Sequence, residues 1–295
     1  MRILFKPLLA PRVPLLWQRR ITAAMMSLFP KPSDVHRLAL LLDGIETEQL
    51  LAARQPDTEQ GSAVLYWHGG GYAMGSPATH RSLTMRLAAQ TGLPVIVPRY
   101  RLAPEHPYPA QLDDALRCLD ALERDGSYPD GLFFAGDSAG GNLALTLALY
   151  CKDHGRTAPR GLVLISPWVD VLATYDDRNR QDALLSAAWI HQLQDAFVPK
   201  PLRATAFVSA AQAPLRGMPP TLLQFASDEL LAPEIRALGN RMRSAGVAVT
   251  VDEAPGLWHD YQLHAGLVPE ANRAIERIAA FVKGLDGPGT APAGP

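Results

Sequence analysis

What this 295-residue chain has little of already removes several kinds of protein. It contains only two cysteines, Cys118 and Cys151, in neither a metal-ligand nor a redox spacing. That argues against a disulfide scaffold and a thiolate metal site. Both fall in helix-like stretches and read as buried core thiols, and so few cysteines fit a reducing, cytoplasmic setting. Charge of one sign is also missing: 28 Lys and Arg against 29 Asp and Glu leave a formal net charge of −1. No overall basic field therefore addresses nucleic acid or an anionic membrane. No run of about 18 apolar residues occurs, which argues against a membrane span. Arg2 and Lys6 imitate the start of a secretory signal. Pro11, Arg12 and Pro14 then break the apolar stretch, Arg19 and Arg20 follow, and no small-residue cleavage site appears. Internal repeats are absent. What remains, 47% hydrophobic and 19% charged residues, is ordinary for a globular chain long enough to bury a large core.

After about residue 60, short apolar runs alternate with helical patterns. The runs Ala63–Trp67, Val95–Pro98, Leu132–Ala135, Leu162–Ser166, Thr221–Ala226 and Ala248–Asp252 read as buried strands. Helix-like segments lie near 79–91, 110–124, 139–153, 234–245 and 269–283. This alternation predicts an α/β fold, a mostly parallel sheet covered on both faces. Residues 1–55 and about 170–215 do not follow it. Both are expected to fold over one end of the sheet as a cap around a core of 56–285. The Gly/Pro/Ala-rich tail, 286–295, is expected to be flexible.

Two motifs carry chemistry. The strand Leu132–Ala135 runs into Gly136-Asp137-Ser138-Ala139-Gly140-Gly141, followed by a helix. This G-x-S-x-G turn in a strand–turn–helix setting displays a nucleophilic serine at the top of an α/β-hydrolase sheet. The small residues on either side let strand and helix approach closely. The second motif, His68-Gly69-Gly70-Gly71-Tyr72, follows the strand Ala63–Trp67. Consecutive glycines leave backbone N–H groups unobstructed and free to take positive φ. Acyl transfer builds negative charge on the carbonyl oxygen, which fixed N–H donors stabilise. Gly70, Gly71 and Ala139 are the expected oxyanion donors, while Gly69 serves the turn.

The serine hydroxyl needs a base, and histidine titrates in the working range. In α/β-hydrolases the chain order is Ser, then Asp or Glu, then His. Of the histidines after Ser138, His191 falls in the expected cap. His259 lies in a loop between the last strand and the last helix, and is chosen as the base. His264 is read as a surface or helix-start residue. The acid should follow the strand Thr221–Ala226, where Asp228 is preferred and Glu229 is the alternative. Capping of the next helix is the competing use for both. Asp252 and Asp260 are lesser candidates, because Asp252 lies in a strand and Asp260 adjoins the histidine too closely to reach its Nδ1. Tyr72 and Trp258 are candidate substrate-binding residues, although aromatic residues at strand ends are commonly core.

With these residues assembled, the chain resembles the hormone-sensitive-lipase-like esterases, the bacterial branch of the α/β hydrolases. The matching stretches are His68–Tyr72, Tyr100-Arg101-Leu102-Ala103-Pro104-Glu105-His106-Pro107-Tyr108-Pro109-Ala110, Gly136–Gly141, Ser166-Pro167-Trp168, Asp228 and Gly256–His259. The resemblance implies an α/β-hydrolase fold with a helical cap, and hydrolysis of small-molecule esters with short to medium acyl chains. It implies no metal and no organic cofactor, and it allows a homodimer. Glu105 and His106 belong to its structural block and are not expected to be catalytic. The chain departs from the family where Asp-Pro-Leu-x-Asp is replaced by Asp228-Glu229-Leu230-Leu231-Ala232, which keeps Glu229 open as the acid. It departs again where Asp260-Tyr261 stands for the more usual Gly-Phe after the histidine. Lactone or amide hydrolysis by the same triad, or a non-catalytic small-molecule receptor, are the alternatives.

Overall fold

The computed structural model describes residues 6–53, 61–171, 173–177, 182–203 and 209–286. Among them, eight strands follow one another along the chain. They are β1 (Val35–Leu42), β2 (Ile45–Ala52), β3 (Ser62–Trp67), β4 (Val95–Pro98), β5 (Gly131–Asp137), β6 (Gly161–Ile165), β7 (Thr221–Ala226) and β8 (Val249–Ala254). They form one sheet in the order β1-β2-β4-β3-β5-β6-β7-β8. β2 runs antiparallel to both neighbours, and every pairing from β4 to β8 is parallel. All six predicted strands are present. β3, β4, β6 and β7 are buried along their whole length, which is why they read as continuous apolar runs rather than alternating ones.

The α-helices among the described residues are α1 (Leu15–Ser27), α2 (Pro77–Thr91), α3 (Ala110–Asp125), α4 (Ala139–Asp153), α5 (Ala187–Phe197), α6 (Ala232–Ser244) and α7 (Pro269–Asp286). Two hydrophobic clusters separate the faces of the sheet. Val64, Tyr66, Phe133 and Val163 pack with Leu83 and Leu87 of α2 and with Ile275, Ile278 and Val282 of α7. Their alternate neighbours Leu65, Trp67, Phe134 and Leu164 pack with α3, α4 and α6. The strand period of two thus feeds both layers at once. Cys118 and Cys151 are buried free thiols of the second cluster. No helix among the described residues is long and apolar enough to cross a membrane.

The N-terminal expectation needs correction. Residues 1–55 are not all cap, because β1 and β2 pair in register from Val35↔Ala52 to Leu42↔Ile45 and extend the sheet. The two-residue loop Asp43-Gly44 has positive φ at both positions, the geometry that matches hairpin twist. α1 and the segment bearing α5 stand outside the sheet and meet each other. The indole N–H of Trp189 donates to Oε1 of Gln18 at 2.8 Å, joining the two. Of the expected tail 286–295, only Asp286, the last residue of α7, is described; the rest lies outside the described residues.

The Tyr100–Ala110 block is a brace. Arg101 grips the buried carboxylate of Asp114 on α3 at 2.8 Å. The Tyr100 hydroxyl donates to the carbonyl of His68 at 2.6 Å. Arg19 of α1 pairs with Glu105 at 2.7 Å and donates to the carbonyls of Ala73 and Ala103. The block therefore fixes α1 against the glycine loop, and Glu105 and His106 remain on the exposed side. Replacing Arg101 by Ala leaves the Asp114 carboxylate short of its principal partner. The expected cost is about 2–3 kcal/mol, as for a charged hydrogen bond lost at a buried group, measured as a fall in urea midpoint at unchanged slope.

Candidate active site

Ser138 sits between β5 and α4 with φ 50 and ψ −117, a conformation that costs a non-glycine residue free energy. Tertiary hydrogen bonds hold it there. Its N–H donates to Ile165 at 2.8 Å, and its carbonyl accepts from Trp168 at 2.9 Å. The turn also needs glycine on both sides. A Cβ on Gly140 would overlap the Trp67 carbonyl, and one on Gly136 would overlap the backbone of Gly140.

His259 reaches across from the loop after β8. Its Nε2 lies 3.0 Å from Ser138 Oγ, and its Nδ1 lies 2.9 Å from Oε2 of Glu229. Here the expected acid is corrected. Asp228 is exposed and its Oδ1 accepts from the neighbouring Ser227 hydroxyl. The chain leaves β7 in a turn that faces position 228 to solvent and position 229 inward. Glu229 is fully buried, and its Oε1 accepts from the Ala226 N–H and the Ser166 hydroxyl, both at 2.6 Å. Two fixed donors on one oxygen leave the other aimed at the imidazole. In the neutral ring, with the Nδ1 proton directed to Glu229, Nε2 is the acceptor for the serine hydroxyl.

The glycine loop lies beside this chain of contacts. Gly70 and Gly71 have φ of 114 and 61, which a side chain would resist. Among the described residues, no hydrogen bond uses the N–H of Gly70, Gly71 or Ala139. Gly69 serves the turn, donating to Oδ2 of Asp137 at 3.0 Å. Asp137 is the centre of a buried polar cluster. It accepts from the Tyr66 hydroxyl at 2.7 Å and faces His80 Nε2 at 3.1 Å. Burial opposes its ionisation, but His80 and the hydrogen bonds from His80 and Tyr66 outweigh that and hold the carboxyl below its usual range. Burial lowers His68 to about 3, with His80 adding to the effect. His68 is therefore a neutral spacer, stacked on Tyr100 at 4.2 Å.

Ser138, His259 and the three glycines open onto a cavity of about 110 Å³. Its other walls are largely apolar: Met26 of α1, Leu185, Trp189, Ile190 and Leu193 on or beside α5, and Leu231. Tyr72 and Trp258 are not on this wall. Tyr72 is buried, donates its hydroxyl to Asn142 at 2.7 Å and stacks on Phe197. The half-buried Trp258 turns its indole N–H toward His264. His264 is no surface residue but a buried member of the lining, where burial lowers it to about 4. His191 lies on α5 outside the lining.

Two further buried carboxylates stand near the site, Asp182, which sequence reasoning passed over, and Asp260, which it weighed only as a lesser candidate for the acid. Asp182 accepts from Leu184 and Leu185 in the cap and from the Leu230 N–H beside Glu229, each at 2.8–2.9 Å. Asp260, in a left-handed conformation with φ 53, places Oδ2 3.1 Å from His259 Nε2.

A strained serine on a strand–helix turn, a histidine backed by a carboxylate, and a glycine loop at the end of a parallel sheet define an α/β hydrolase. The sequence matches the family model described as the alpha/beta hydrolase fold over residues 64–263. It is 35% identical to an esterase from Acinetobacter venetianus over 276 residues, covering 91% of this chain and 88% of that one. It is 35% identical to an acetyl-hydrolase from Streptomyces hygroscopicus over 238 residues, 80% of each chain. The crystal structure of an esterase from the bacterial hormone-sensitive lipase family superposes with a TM-score of 0.87 at 30% identity, covering 94% of this chain and 93% of the other. The chain belongs to the α/β-hydrolase family, in its hormone-sensitive-lipase-like esterase branch, and is an enzyme of the carboxylic-ester-hydrolase class.

Because backbone atoms occupy the space beside Gly140, Gly140→Ala has no flexible neighbour to displace. Thermal unfolding should show a loss of about 2 kcal/mol or more, as for an overpacked site.

Proposed function

We propose that the chain hydrolyses small-molecule carboxylic esters of short to medium acyl length through Ser138, His259 and Glu229. The observation that carries this reading is the unbroken contact from Ser138 Oγ through both ring nitrogens of His259 to Glu229 at 3.0 and 2.9 Å, beside a largely apolar cavity. His259 takes the Ser138 proton on Nε2 as Oγ bonds to the ester carbonyl carbon. Glu229 holds the ring in the required tautomer and stabilises the imidazolium. The negative oxygen of the tetrahedral intermediate accepts from the N–H groups of Gly70, Gly71 and Ala139. A single donor of this kind contributes about 2.7–4 kcal/mol in a measured case. Collapse breaks the bond to the leaving oxygen, which takes the proton from Nε2, and an acyl-serine remains. Water repeats the sequence and releases the acid. The cavity is smaller than the roughly 150 Å³ apolar space that admits benzene, which favours short acyl groups. The likeness to an acetyl-hydrolase agrees with that.

Hydrolysis of p-nitrophenyl esters of increasing acyl length tests the substrate class. Turnover should be highest for short chains, fall steeply beyond medium length, and disappear in Ser138→Ala. Wild-type-like turnover by that variant would sink the assignment. The acid is tested separately. Glu229→Gln should lower kcat by roughly 10³-fold or more, the scale seen when a triad carboxylate is neutralised. Asp228→Asn should stay within about threefold of wild type, since its carboxylate faces solvent. The reverse ranking would return the role to Asp228.

A further inference from the structure

The Nε2 edge of His259 has two suitors, not one. Ser138 Oγ lies 3.0 Å away and Asp260 Oδ2 lies 3.1 Å away, both buried with the ring. A nitrogen that carries a lone pair accepts from one donor well, and an ionised carboxylate facing that lone pair is repelled. Of the two, the Ser138 contact has hydrogen-bond geometry, and Asp260 meets the ring as an ion-pair neighbour whose carboxylate favours a protonated imidazole. A ring protonated at Nε2 has no lone pair to take the Ser138 proton. The second oxygen, Oδ1, is buried without a hydrogen-bond partner among the described residues, so no other contact draws the carboxyl away.

We propose that Asp260, beside the Nε2 edge of His259, is a positioning residue that keeps the ring protonated and so sets the pH at which Ser138 gains its base. This rests on the serine-hydrolase reading above.

The surroundings favour retention of the ring proton. Glu229 faces His259 from the turn after β7, and Asp137 faces Asp260 from the end of β5. His80 of α2 and Tyr66 of β3 approach from the far side of Asp137 and also feel the Asp260 charge. Burial opposes charge on His259, yet Asp260 and Glu229 outweigh it and place the imidazole well above its ordinary range. Burial raises Asp260 to about 7, against the pull of His259 and with the repulsion of Asp137 added. The two groups titrate as a pair. Below the point at which the pair releases its proton the serine has no base. Above it His259 is neutral and accepts from Ser138. Removing the Asp260 charge must therefore move the acid limb of activity to lower pH.

The left-handed backbone at 260 is tolerated by asparagine and favoured by glycine, so Asp260→Asn and Asp260→Gly suit the local conformation. The test is the pH profile of kcat/KM on p-nitrophenyl acetate. The wild-type acid limb should lie above about 6.5, the ordinary histidine value. Both variants should shift it down by about one unit, which gives up to about tenfold higher kcat/KM on the limb. An unmoved limb in either folded variant overturns the proposal. So does a raised KM with the limb unmoved, which would make Asp260 a substrate contact. If neither variant folds, the wild-type limb decides alone, and a midpoint at or below about 6.5 overturns the proposal. Loss of turnover in Ser138→Ala with the limb unmoved removes only this inference; turnover by Ser138→Ala overturns both.

Discussion

The close approach of β5 and α4 at the Ser138 turn is the constraint on which the rest of the site depends. Backbone contacts strand and helix directly there, because Gly136 and Gly140 offer no Cβ. The strain at Ser138 is held by bonds to Ile165 of β6 and to Trp168, which tie its backbone to the sheet end. The same contact brings the end of β3 alongside, since Gly140 abuts the Trp67 carbonyl. The glycine loop that follows β3 therefore starts from a position set by the serine turn.

Asp137 carries that registration one step further. It sits next to Ser138, but its carboxylate points back into the protein, to Tyr66, to His80 and to the N–H of Gly69. A buried, ionised carboxylate is costly unless well partnered, and here the partners are the elements that shape the glycine loop. On the other side of the site, Ser166 at the end of β6 performs a similar service for Glu229. Ser138 and Glu229 come from turns, but each turn is anchored at the end of a parallel strand of the sheet interior.

How much was legible followed from how local each signal was. The serine turn and the glycine loop are contiguous motifs whose chemistry and conformation are written in the same few residues, and both stand where expected. The parallel strands were legible because burial on both faces makes them apolar throughout. The carboxylate that meets His259 was harder to read. Asp228 and Glu229 are adjacent in sequence, and which of them faces inward is decided by Ser166 and the Ala226 N–H, one of them from another strand. The missing Asp-Pro-Leu-x-Asp pattern was the available warning. Tyr72 was misplaced because its positive φ swings the ring beneath the loop onto Asn142 and Phe197. The β1–β2 hairpin carried a signal in Asp43-Gly44, but β1 lies at the sheet edge with Leu38 and Leu41 exposed, so its leucines lack an alternating pattern.

The cavity has a floor and a roof of different origin. The floor is the sheet end, with Ser138, His259 and the glycines. The roof comes from α1 and the segment around α5, pinned by Trp189 to Gln18 and by Asp182 to the backbone beside Glu229. Leu193 descends from that roof to the glycine loop, filling the space that a side chain on Gly71 would need. The chemistry and the fit can thus drift independently. A lineage can resculpt Leu185, Ile190 or Leu193 and visit new acyl groups while the machinery beneath stays the same, as a lathe accepts different jaws on one spindle.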